Sequence, residues 1–291
     1  MERIDFRDQI SRNKLKSFFL MAIIFVIFVL LGYVISLAFD PGFFFIIMII
    51  SIVFSLSYIL ITFYNSGRIA IASVGAKEAP REKYRHYYNL VEGLTLASGL
   101  PMPKLYIMES SQINAFASGR NPENAVVCVT TGALEKLDKK ELEGVLAHEL
   151  GHVANYDIRY MTLVTVMVGM IAILSEIFLR SLWFSHGDNN KNNTIFIVIG
   201  IILAILAPIV VYLVQMAISR KREFTADASA VKFTRYPSGL INALRKIHHE
   251  HSPPNKRISK SIAPLFFSNP FKNLGSTHPQ IEKRIEALER M

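Results

Sequence analysis

Two uninterrupted apolar runs near the amino terminus, Ser17 to Phe39 and Phe43 to Tyr64, limit what this chain can become more than any other feature. Each is long enough as a helix to cross roughly 30 Å of hydrocarbon. In lipid a backbone must satisfy its own hydrogen bonds, so both are expected to be helical. Asp40-Pro41-Gly42 between them reads as a tight turn, which makes the pair a hairpin. Arg3, Arg7, Arg12, Lys14 and Lys16 precede the first run, and Arg68, Lys77, Arg81, Lys83 and Arg85 follow the second, whereas the turn holds no Lys or Arg. The positive-inside rule then places the amino terminus and the chain after Tyr64 on the cytoplasmic side. A cleavable signal would have a shorter apolar core and a small-residue cleavage site, so the first run is read as a retained anchor.

Two more apolar runs, Ile158 to Leu179 and Ile195 to Ala217, flank a short loop, 180–194, and lead into Arg220, Lys221 and Arg222. Arg159 and Glu176 lie near the ends of the third run, where an interface tolerates charge. Four crossings are expected, with a hairpin that dips into the membrane without crossing as the alternative for the second pair. A composition that is 51% hydrophobic agrees with a bilayer partner. The net charge of +9 invites a nucleic-acid reading, but the basic residues gather beside the apolar runs instead of interleaving with aromatics on one face, so no nucleic acid is expected. The single cysteine, Cys128 in the apolar run AVVCVTT, excludes an internal disulfide and a cysteine metal cluster, and reads as a core thiol.

Between the membrane pairs, residues 79–157 have the mixed composition of a folded polar domain. Glu82 to Ser98 reads as an amphipathic helix, with Tyr84, Tyr88, Val91, Leu94 and Leu96 among its apolar positions and Gly99 as its stop. Three β-prone runs follow: Lys104 to Met108, Ala115 to Ser118 and Ala125 to Thr130. The domain is therefore α+β. An extended chain can add as a strand on a sheet edge, and Asn114 to Gly119 is the candidate edge, a purely structural strand being the other reading.

The chemistry is concentrated in Asp138 to Asp157, DKKELEGVLAHELGHVANYD. Asp138 with Glu141 forms a capping-box pattern, and Leu142, Val145, Leu146, Glu149 and Val153 follow at helical spacing. His148 and His152 are four residues apart and share a helix face, so they can share a metal. Glu149, beside that face, can reach a water without being a ligand, the arrangement of zinc peptidases. Gly151 lets a second segment come close to the ligands. A third ligand is required, and Glu223, with Asp227 one turn on, returns right after the fourth apolar run. There Glu223 would complete the coordination and Asp227 would orient one histidine. Alone, such an acidic pair is weak evidence, because exposed helices carry them routinely.

Four segments, LASGLPMPKLYIMESSQINAFASGRNPENAVVCVTTGAL, ELEGVLAHELGHVANYD, REFTADASAV and STHPQIEKRIEAL, resemble in order and spacing the HtpX family of membrane zinc metalloproteases, and more distantly the CAAX prenyl-protease group. The resemblance covers essentially the whole chain. It implies an α-helical integral membrane protein with a cytoplasmic α+β, gluzincin-like zinc metallopeptidase domain, one Zn2+ per chain held by His148, His152 and Glu223, and Glu149 as catalytic base. It also implies that His278 donates to an oxyanion, against a plain helix-entry turn, and that Asn114 lines the substrate edge, against a turn cap. Arg284 is read as a structural ion-pair partner, and His248, His249 and His251 as solvated loop residues. The expected layout is a leader at 1–16, spans at 17–39 and 43–64, a peptidase segment at 65–157, spans at 158–179 and 195–217, and a second peptidase segment at 218–291. Expected substrates are damaged membrane proteins or unfolded polypeptides. An intramembrane protease and an inactive membrane scaffold are the rivals, and the charged residues Asp138, Lys139, Lys140, Glu141 and Glu143 ahead of the histidines argue against the former.

Overall fold

The computed structural model describes residues 6–36, 41–164, 200, 220–250, 265–268 and 280–291. Two long helices open the chain, α1 (Phe6–Ser36) and α2 (Phe44–Tyr64). Tyr33 meets Phe44, and Phe28 meets Phe54 and Tyr58, the pairing of an antiparallel hairpin. Both are long and apolar enough to cross a membrane, and α2 turns Phe45, Ile46, Ile49, Ile50 and Val53 outward, a surface suited to lipid. α1 begins well before Ser17, so most of the basic leader is helical too. A short 3-10 turn, Pro41–Phe43, leads into α2.

Beyond a short helix α3 (Ser66–Val74) lies a four-stranded sheet of β1 (Lys77–Glu78), β2 (Lys104–Met108), β3 (Ala115–Ser118) and β4 (Val126–Thr130), in the order β1-β2-β4-β3. β4 runs parallel to β2, in register Lys104↔Val126 to Met108↔Thr130, and antiparallel to β3, in register Ala115↔Val129 to Ser118↔Val126. All five residues of β4 are buried, as a strand covered on both faces requires. Val127 and Val129 face the main core with α4 (Arg85–Ser98) and α6 (Lys139–Ala154), while Val126 and Cys128 face Ala70, Ile71 and Val74 of α3. The short α5 (Thr131–Lys136) links β4 to α6.

The α4 helix starts at Arg85, three residues later than its pattern predicts, and buries Tyr87, Leu90, Val91, Leu94 and Thr95. Leu96 is exposed: two residues past Leu94 it has rotated about 200° from the buried face.

Among the described residues three further helices follow, α7 (Arg220–Thr234), α8 (Pro237–His248) and α9 (Ile281–Glu289). α6 is the hub they close around. Its start is fixed by Asp138, which accepts from the backbone N–H of Lys140 and Glu141, while Glu141 accepts from that of Asp138. Two glycines bring its neighbours close. A Cβ on Gly144 would lie 2.6 Å from the Leu240 nitrogen of α8, and one on Gly151 3.0 Å from the Ala226 oxygen of α7. The missing side chain at Gly151 is what lets α7 approach the histidines.

Candidate metal centre

His148 and His152 are both buried on α6, with ring centroids 4.7 Å apart and Nε2 atoms 3.2 Å apart. From α7, Glu223 brings Oε2 to 3.7 Å from His148 Nε2 and Oε1 to 3.5 Å from His152 Nε2. A tetrahedral zinc with ligands at 2.0–2.1 Å would hold them about 3.3 Å from one another. The three donors therefore fit one ion, and they are the one such group of three among the described residues.

Each imidazole uses its other nitrogen to bind a carboxylate, which fixes ring and tautomer and leaves Nε2 for a metal. His148 Nδ1 lies 2.8 Å from Asp227 Oδ1, and His152 Nδ1 lies 3.1 Å from Asp157 Oδ2. Asp227 is in turn clasped by Arg284 of α9, Nε to Oδ2 at 2.9 Å and Nη2 to Oδ1 at 2.7 Å. The same guanidinium stands 3.6 Å from Glu223 and over the ring of Phe267. Arg284 is thus an ion-pair partner as its sequence suggests, but inside the site. Asp157 was not singled out by sequence. It falls five residues after His152, past the end of α6, and returns to the ring because Tyr156 takes a left-handed turn at φ 59°.

These contacts bias the two rings oppositely. Burial and the Arg284 charge pull His148 down to about 4, against the attraction of Asp227. Burial also disfavours a charged His152, but the Asp157 hydrogen bond and the Glu223 charge outweigh it and bring that ring up to about 9. Asp227 is held below the usual carboxylate range: burial would raise it, and Arg284 with His148 overcomes that. Before a metal binds, positive charge is thus welcome on the His152 side, where an ion would replace the proton.

Glu149 is also buried, and burial together with nearby Glu223 lifts its carboxyl to about 7. The backbone N–H of Ala117 donates to it, so β3, an edge strand, faces the acid. Its Oε1 has no hydrogen-bond partner among the described residues, an orphaned acceptor where a reacting water would stand.

The edge itself is engaged by the chain's own residues 265–268. Phe267 N–H donates to Ala115 O at 2.8 Å, Ser268 N–H donates to Asn114 Oδ1 at 3.1 Å, and Asn114 Nδ2 donates to Ser268 O at 2.8 Å. The Phe267 ring meets His148 edge-on, centroids 4.9 Å apart. Asn114 also accepts from the Ala115 N–H, so it both ties the start of β3 and clasps this segment. Cys128 is buried, and burial pushes its thiol well up, as a core residue requires. His248 makes a 3.4 Å surface pair with Glu282, while His251 and His278 lie outside the described residues.

Two histidines on one helix, a glutamate from another and a carboxylic acid beside them make up the donor set that a metallopeptidase requires. The description "Peptidase family M48" matches residues 82–291. Relatives called "Protease HtpX homolog" include one from Dictyoglomus thermophilum, 41% identical over 295 residues, covering all of this chain and 96% of the relative. Another, from Thermoanaerobacter pseudethanolicus, is 45% identical over 82% of this chain and 83% of its own. The chain belongs to peptidase family M48 and, within it, to the HtpX proteases. It is a membrane-associated zinc metalloprotease. A solved structure, "Crystal Structure of S. mikatae Ste24p", shares the fold at 18% identity with a TM-score of 0.50, covering 81% of this chain and 57% of that one.

Proposed function

We propose that this protease is an endopeptidase of the cytoplasmic membrane surface, using one zinc ion held by His148, His152 and Glu223 and taking membrane proteins or unfolded polypeptides as substrates, as quality control demands. The observation that carries this reading is the return of Glu223, after the apolar residues up to 217, to within 3.7 Å of both imidazoles. Zinc would supply Lewis acidity, activating a water and drawing charge from the scissile carbonyl. Glu149 takes the proton of that water as its oxygen bonds the carbonyl carbon, then delivers it to the amide nitrogen as the C–N bond breaks. A carboxyl held near 7 suits a group that must both accept and return a proton at neutral pH. Asn114 and Ala115 would offer a substrate backbone the bonds now made by Phe267 and Ser268, and His278 is proposed to donate to the developing oxyanion.

Four crossings with both termini and the site on the cytoplasmic side, and the segment layout given by sequence, remain part of this reading. Asn13, near the start of α1, and Asp157, at the start of the third apolar run, hydrogen-bond to each other, which supports one common side for both starts. Exposed Lys139 and Lys140 at the head of α6 disfavour a site at lipid depth. The test is Glu149→Gln in purified full-length protein: casein cleavage should vanish while zinc stays at one per chain. Undiminished cleavage by the zinc-loaded variant would remove Glu149 from its role.

A further inference from the structure

The buried positions of α1 form one stripe, Asn13, Ser17, Leu20, Ile24 and Phe28, at the spacing of a single helix face. The apolar part packs on Tyr160, Leu163 and Val164, with Tyr58, Ile59 and Phe63 of α2 alongside. Asn13 breaks the pattern: an amide only 3% exposed, on a helix that carries exposed Arg12 and Lys14 on either side. A buried amide needs partners, and both go to the segment that follows the histidine helix. Asn13 Nδ2 donates to the Asn155 carbonyl at 2.9 Å and to Asp157 Oδ1 at 2.7 Å. The other oxygen of that carboxylate is the one on His152 Nδ1. Next to it, the Lys14 ammonium lies 4.4 Å above the ring of Tyr156, the residue whose left-handed turn carries Asp157 back to the ring.

We infer that Asn13 is a positioning residue for His152, acting through Asp157, so that the first membrane-spanning helix is a working part of the metal centre as well as its anchor. The inference rests on the proposed ligand role of His152. An aspartate pinned at one oxygen presents the other in one place, and the imidazole that bonds it is oriented accordingly. With Asn13 gone, Asp157 Oδ1 loses the donor that pins it, and His152 loses its fixed aim. An alanine at 13 keeps the helix and most of the stripe, so the loss falls on the hydrogen bonds.

The experiment uses full-length protein in detergent and measures Zn2+ affinity by competition with a chromophoric chelator, alongside thermal unfolding. Asn13→Ala should weaken Zn2+ by about tenfold. In an Asp157→Ala background it should add nothing, because the two act in series. Ser17→Ala is the control from the same stripe: among the described residues its hydroxyl bonds the Asn13 carbonyl one turn back, so zinc affinity should stay at the parent value. Unchanged zinc affinity in Asn13→Ala, or a full additive loss in the double variant, overturns the inference. If the alanine variant does not fold, Asn13→Ser replaces it, with a shorter donor in the same place; a several-fold loss supports the inference and parent affinity overturns it. His152→Ala separates the two readings: if it keeps parent zinc affinity, the ligand assignment fails whatever Asn13 does.

Discussion

His148 and His152 occupy successive turns of one helix, yet they are braced from different parts of the molecule by different physics. Behind His148 stands a charged chain: Asp227 from α7, then Arg284 from α9, its guanidinium covered by Phe267. Behind His152 stand Asp157 and the neutral amide of Asn13 from the membrane hairpin. Burial and the Arg284 charge hold His148 at about 4, whereas the Asp157 hydrogen bond and the Glu223 charge outweigh burial and bring His152 to about 9. The first brace is a buried ion pair, costly to break because it strands a charge. The second also holds a cation, since His152 is brought up to about 9, but an imidazole can give up its proton when its partner goes and a guanidinium cannot.

The sharpest way to break this comparison is Asp227→Ala. It leaves Arg284, fully buried, without its carboxylate, and should cost about 3–5 kcal/mol of stability. Chemical unfolding of the metal-free protein would show it, and a midpoint equal to the parent's would mean that the ion pair is not what holds α9 to the site. Gly151→Ala comes next. Its new Cβ meets the Ala226 carbonyl and the Ser229 side chain at 3.0 Å, and overpacking of that kind costs about 1–3 kcal/mol. It displaces α7, and with it Glu223 and Asp227, but not Asp157. Zinc affinity should therefore fall while the His152 brace survives.

On the other brace, Asp157→Asn keeps an oxygen for the imidazole N–H and removes the charge. Zinc affinity should drop about 10-fold. The unfolding midpoint of the metal-free protein should fall by less than in Asp227→Ala, since His152 can shed its proton where Arg284 cannot. A stability loss as large as that of Asp227→Ala would erase the distinction between the two braces.

How far the sequence foretold all this follows the same division. What is local was legible: the capping box at Asp138 and Glu141, the one-turn spacing of His148 and His152, and strands within a residue of their pattern. Glu223 and Asp227 were legible because the pair returns right after the fourth apolar run; its four-residue spacing alone is common on exposed helices. Leu96 was misread because the apolar content of α4 was taken without its phase. Asp157 was in view but lies past the end of its helix, and only the backbone turn at Tyr156 reveals its direction. Arg284 and Asn13 meet the site across 136 and 144 residues of chain, where no periodicity reaches. The residues at 265–268, which lie on β3 through backbone groups, leave no side-chain pattern at all.

The smallest effect tests whether the helix itself treats both histidines alike. Asp138 caps α6 through the N–H groups of Lys140 and Glu141, ten residues before the first ligand, and it touches neither brace. Asp138→Ala should cost about 1 kcal/mol, lowering Tm by about 2–4 °C for a chain this size. The loss is confined to the first turn, because Leu142, Val145 and Leu146 remain packed in the core. Zinc affinity should stay within twofold, since the ligand-bearing turns are held from the far end by Asp227 and Asp157. If the cap variant loosened zinc as much as Asp157→Asn does, the geometry of the ligands would be set by the helix as a rigid rod, and the separate braces would be secondary to it.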